Sequence, residues 1–109
     1  MERRRACYIG GIVYDKEAVL GHLWSLNRQT LVVTGDGRGA EKWIRDAANR
    51  LGLELHVPEF VDVEKQIVDI YVQALYGGEL VLVGSGFRVK RAQEMLSRSN
   101  GWPEKVTEL

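Results

Sequence analysis

The sequence predicts an α/β fold: one domain in three layers, with helices on both faces of a mostly parallel sheet of four or five strands. Three observations carry that expectation. Short β-branched runs alternate with helical stretches of about a dozen residues, the spacing of βαβ crossovers. The run Glu79-Leu80-Val81-Leu82-Val83 is the most apolar in the chain, as suits a central strand. Three of the runs stop abruptly at glycine clusters, the punctuation of a strand turning into a helix.

Taken in order, Ala6 to Ile9 forms a first buried strand that either ends at Gly10-Gly11 or bends there and continues through Ile12-Val13. Asp15 is placed to cap a helix whose apolar positions are Val19, Leu20, Leu23, Trp24 and Leu26. His22 falls beside that stripe and, with no second ligand at a neighbouring helical position, is expected to be a surface or packing residue. Leu31-Val32-Val33-Thr34 is the second strand; Gly35-Asp36-Gly37-Arg38-Gly39 is its loop, and Ile44, Ala47, Ala48 and Leu51 mark the helix that follows, closed by Gly52. Leu53, Leu55 and Val57 alternate with Glu54 and His56, which suits an edge strand ended by Pro58. Val61-Asp62-Val63 leads into a helix with Val63, Ile67, Ile70, Tyr71, Ala74 and Leu75 on one stripe, terminated by Gly77-Gly78. After the apolar fourth strand comes Gly84-Ser85-Gly86, then a helical pattern of Phe87, Val89, Ala92, Met95 and Leu96. A turn at Ser99-Asn100-Gly101 and a short last strand, Val106 to Leu109, complete the chain.

Composition narrows the function classes. At 109 residues the chain is long enough for one shared core, and 45% hydrophobic with 28% charged residues is ordinary globular usage. Fifteen basic side chains balance fifteen acidic ones, which argues against nucleic acid or an anionic membrane as partner. Only Glu2-Arg3-Arg4-Arg5 is locally basic, and a solvated tail over residues 1–5 is the expectation there. Cys7 alone cannot form an internal disulfide, nothing near it has metal-ligand spacing, and a cytoplasmic location follows. No apolar stretch approaches the roughly twenty residues of a membrane span. Gly10, Gly11 and Asp15 interrupt any signal-peptide pattern.

The glycine loops carry the chemistry. The first N–H groups of a helix lack intrahelical partners and gather partial positive charge, so a phosphate or carboxylate is held well there. Glycine lets a ligand approach the backbone, and Arg38 adds a planar donor fork suited to phosphate. A compact turn with a solvated Arg38 would use the same residues. If the strand order is 3-2-1-4-5, however, the first, second and fourth strands are neighbours, and their three glycine loops meet at the carboxyl edge of one sheet. That convergence favours a nucleotide or sugar-phosphate ligand. The candidate contacts are Gly10 and Gly11; Gly35, Asp36, Gly37, Arg38 and Gly39; Glu41; and Gly84, Ser85, Gly86 and Arg88. The loop amides and the two arginines would hold phosphate. Asp36 would accept a ribose hydroxyl or bond its own loop, and Glu41 would complement the helix dipole. Neither the dinucleotide fingerprint nor a Walker loop is present, and no metal or other cofactor is implied.

These residues resemble the SLOG superfamily, the Rossmann-like group that contains the Lonely Guy phosphoribohydrolases and the DNA-processing protein A family, and most nearly its small YspA/YpsA-related members of bacteria and phages. A Gly-x-x-Arg-Gly-x-Asp loop between strand and helix is matched by Gly35, Arg38, Gly39 and Glu41, with Glu in place of Asp. Gly10-Gly11 and Gly84-Ser85-Gly86 resemble the family's first and late loops, and the likeness runs over roughly residues 6–109. It implies a nucleotide-derived ligand and self-association. The phosphoribohydrolases carry Pro-Gly-Gly-x-Gly-Thr-x-x-Glu after the late strand; here Phe87 stands for the threonine and Lys90 for the glutamate, and Glu94 lies a turn further on. A lysine cannot stabilise an oxocarbenium-like charge.

Three functions stay open at this stage. One is a binding module or sensor for a nucleotide-derived ligand. The second is a nucleoside-phosphate hydrolase with Asp36 or Glu41 as acid–base group. The third is an oligomeric interaction protein using Trp43 and Trp102 as exposed aromatics.

Overall fold

The computed structural model describes residues 3–59, 62–98 and 101–109. Val61 and the Ser99-Asn100 part of the expected turn lie outside those residues, as do Glu2 and Phe60. Five strands and four helices alternate: β1 (Arg5–Gly10), α1 (Lys16–Trp24), β2 (Leu31–Thr34), α2 (Ala40–Arg50), β3 (Glu54–His56), α3 (Val63–Leu75), β4 (Gly78–Val83), α4 (Phe87–Arg98) and β5 (Lys105–Glu108). All strand pairs are parallel, and the order is β3-β2-β1-β4-β5. The fold is a Rossmann-like α/β sandwich, and β3 is an edge strand as its alternation predicts.

Period-two alternation along the strands divides the core into two layers. Ala6 and Tyr8 of β1, with Val81 and Val83 of β4, face α1 and α2, where Val19, Leu23, Ile44 and Ala48 cover them. Cys7 and Ile9, with Leu80 and Leu82, face α3 and α4 and meet Ile67, Ile70, Ala74, Val89 and Ala92. Cys7 is a buried hydrophobe whose thiol is pushed up to about 12, by burial against the pull of Arg5. The helix starts follow the sequence. Asp15 Oδ1 accepts from the amides of Glu17 and Ala18, and Asp62 Oδ1 from that of Lys65. Among the described residues no helix is long and apolar enough to cross a membrane.

Several expectations need correction. β1 ends at Gly10, and Val13 makes only an isolated bridge to Ser85. Trp24, Val63 and Phe87, expected on buried stripes, are exposed; each is the first or last residue of its helix, where a terminal turn is least covered. Trp43 is half-buried against the α1–α2 core, while Trp102 is exposed. Of the expected tail, the described residues Arg3 to Arg5 are tied in rather than trailing. Arg5 opens β1, Arg3 pairs with Glu54, and Arg4 Nη1 lies 2.8 Å from Glu104 Oε2.

His22 is partly buried against the sheet and bonded at both ring nitrogens. The Tyr8 hydroxyl lies 2.6 Å from Nδ1, and Nε2 lies 3.0 Å from Glu79 Oε2, which also accepts from Thr107. Burial holds the Tyr8 phenol well above its usual value, with Glu79 adding to the rise. The phenol therefore keeps its proton. Burial raises the Glu79 carboxyl, but the Thr107 and His22 bonds and the charges of His22 and Lys105 outweigh it, and the net direction is down. A depressed carboxyl contributes stability above its unfolded value, near 4, that is lost as pH falls through the lowered native value. Acid titration of unfolding free energy should therefore show a loss below about pH 4 that Glu79→Gln flattens. Equal acid slopes in the two proteins would refute that assignment.

Candidate functional site

The carboxyl ends of β1, β2 and β4 bring their loops around one hollow of about 420 Å³, a volume that suits a small-molecule ligand. Its lining includes Gly10, Gly11 and Ile12 from the first loop, Asp36 to Gly39 from the second, Gly86, Phe87 and Arg88 from the third, and Val63 at the start of α3. Eight of the twelve expected contacts belong to that lining. Gly10, Gly11, Asp36, Gly37, Arg38, Gly39, Gly86 and Arg88 face the hollow, and Gly84 does not. Gly35, Glu41 and Ser85 are likewise absent from the lining.

The loops are fastened to one another. The Gly11 amide donates to the Val83 carbonyl, Ile12 to Ser85 and Ser85 to Val13, while the Ala40 amide donates to the Gly11 carbonyl. This contact requires glycine at two places. A Cβ on Gly11 would run into the Ser85 carbonyl, and Gly84 combines a left-handed φ of 70° with a Cβ position filled by the Val13 carbonyl.

Beneath the second loop is a feature the sequence reading did not find. Glu41 is fully buried; its Oε2 accepts from the Gly10 amide at 3.1 Å, and its Oε1 from the Gly37 amide at 2.9 Å and Arg88 Nη1 at 3.1 Å. Gln66 Oε1 accepts from Arg88 Nη1 and from the Asp36 amide, while Gln66 Nε2 donates to the Pro58 carbonyl. Arg45 Nη1 donates to the carbonyls of Gly35 and Gly37. One carboxylate thus joins β1, the second loop and α4. Burial pushes the Glu41 carboxyl up, against Arg88, the two amides and Arg45, which pull it down.

This arrangement corrects the expected donor set. The amides of Gly10 and Gly37 bond Glu41, that of Gly11 bonds Val83, that of Gly84 bonds Leu109, and that of Ser85 bonds Val13. An internal carboxylate and neighbouring backbone have taken the donors a ligand was expected to use. Among the described residues, the amides of Arg38, Gly39 and Gly86 make no hydrogen bond, and neither does the exposed Arg38 side chain. Arg88 is mostly buried and shared between Glu41 and Asp36, so it is a partly neutralised cation.

Of the two carboxylates weighed for acid–base work, Asp36 alone faces the hollow; its side chain is 70% exposed. Lys90 is exposed on α4 and outside the lining. The signal for Glu41 was its spacing: with Ile44 and Ala48 it falls on the buried stripe of α2. No group of three or more metal-ligating side chains is found among the described residues. No family model, curated protein or solved structure matches the chain.

Proposed function

We propose that the chain is a SLOG-like binding module for a nucleotide or another phosphate-bearing, nucleotide-derived ligand, held in the hollow at the carboxyl edge of the sheet and serving as a sensor. The observation that carries the reading is the meeting of three glycine loops around one hollow with Arg38 on its rim. The phosphate takes the Arg38 guanidinium and the unengaged amides of Arg38, Gly39 and Gly86. Exposed Ile12 and Phe87 supply apolar surface for the rest of the ligand. The test is a thermal-shift screen of nucleotides, cyclic nucleotides and ADP-ribose derivatives, repeated on Arg38→Ala. A ligand at a hundred times its Kd stabilises by about 2.7 kcal/mol, roughly 10–20 °C in a domain of this size. That shift should disappear in Arg38→Ala. A shift that survives the substitution, or no shift with any nucleotide, rejects the proposal.

Exposed Trp24 and Trp102 favour a second reading, a homo-oligomeric interaction protein. It would be selected by a melting temperature that falls on dilution and ignores nucleotides.

A further inference from the structure

The geometry points to Asp36 as an internal anion that occupies the ligand's place on Arg88 and thereby selects against small free anions such as inorganic phosphate. The inference rests on the reading of the hollow as an anion-binding site and names what controls its selectivity.

Arg88 presents its two terminal nitrogens differently. Nη1 is committed to the interior, where it donates to Glu41 Oε1 at 3.1 Å and Gln66 Oε1 at 2.9 Å. Nη2 meets only Asp36 Oδ1 among the described residues, at 3.3 Å, on the side where both residues line the hollow. The Glu41 contact is sealed, since Glu41 is fully buried. The Asp36 contact is long and solvated, with the aspartate side chain 70% exposed. It is the weaker and exchangeable half of the arrangement. The Asp36 amide is held by Gln66 Oε1, so the backbone stays in register while the side chain turns away.

The charges around the hollow show what this contact does. Glu41 and Asp36 offset two of the three cations gathered there, Arg88, Arg38 and Arg45. A phosphate entering beside Arg38 meets a weaker positive field while the Asp36 carboxylate holds Nη2. An incoming anion must displace a carboxylate already in place, and beyond Arg38 and the loop amides a bare phosphate brings no contact to offset that cost. A ligand that also covers Ile12 and Phe87 does. Asp36 therefore raises the threshold for small anions more than for ligands with an apolar portion.

The experiment is calorimetric titration of inorganic phosphate and of AMP into the wild type, Asp36→Asn, Asp36→Ala and Arg38→Ala. Asp46→Asn, on α2 outside the hollow's lining, is the control for net charge. Asp36→Asn keeps the side-chain shape and removes the charge, and should tighten phosphate binding by up to about fivefold, the scale of one exposed ion pair. AMP should gain less, and Asp46→Asn should leave both unchanged. Unchanged or weaker phosphate binding in both Asp36 variants overturns the inference. If AMP still binds in an Arg38-dependent way, the proposed function stands without it. If neither AMP nor phosphate binds any of the proteins, both are overturned.

Discussion

Glu41→Ala is expected to cost about 3–5 kcal/mol of folding stability, the range for removing one partner of a buried ion pair. The buried amide of Gly10 and the part-buried amide of Gly37 lose their acceptor, and Arg88 is left facing Gln66 with a charge nothing beneath it neutralises. In a domain of this size that loss lowers the melting temperature by on the order of 15 °C or more. Denaturant titration checks it, and a cost under about 1 kcal/mol would show that the carboxylate is not what joins the three elements. Glu41→Gln keeps an acceptor and should fall between the two. The pH dependence has a definite sign. The native carboxyl is raised above its unfolded value, so the native state holds the proton more tightly. Its contribution is full below the ordinary carboxylate range, near 4, and is lost as pH rises through the raised native value. The stability of the wild type relative to Glu41→Gln should decline over that rise and then level off, opposite in sign to the Glu79 effect.

Gly11→Ala should be nearly as damaging, for a steric reason. The added Cβ meets the Ser85 carbonyl and the Gly86 amide, both backbone atoms of the third loop, and no rotamer change relieves the clash. Overpacking costs typically 1–3 kcal/mol, and a collision with fixed backbone belongs at the upper end, about 3 kcal/mol. Any ligand response should vanish too, since the first and third loops are pushed apart where they wall the hollow. Gly21→Ala is the comparison. Gly21 lies within α1, nothing stands within 4 Å of its Cβ position, and the substitution should stabilise by about 0.5–1 kcal/mol. Similar melting temperatures for the two variants would mean the close approach at Gly11 has no energetic consequence.

Much of the architecture was legible because it depends on local pattern. Leu80-Val81-Leu82-Val83 can be covered on both faces only inside a sheet, and it pairs with β1 and β5. Alternation at Glu54-Leu55-His56 marked an edge strand. The glycine loops were legible for the same reason, since strands halting at glycine must turn there. The polar foundation was not legible. Glu41 bonds Gly10 and Arg88, 31 and 47 residues away, and Gln66 joins Pro58, Asp36 and Arg88. Such pairings are created by the sheet order and leave no mark at short spacing. Only the stripe positions hinted at them: Glu41 with Ile44, and Gln66 with Ile70, each on a face that must be buried. His22 is a similar case, three residues from Val19 on the face turned to Tyr8 and Glu79.

The bonds that stitch the loops to one another bear on how the rim breathes. With Gly11 tied to Val83 and Ala40, Ile12 to Ser85, and Gly84 to Leu109, no loop can swing outward without breaking amide pairs that belong to its neighbours. Hydrogen–deuterium exchange at these positions should therefore follow one cooperative opening, slower than the fraying of independent surface turns. On the proposed reading, a guest at such a rim would be admitted by rotation of side chains, Asp36 foremost, over a backbone frame that stays closed.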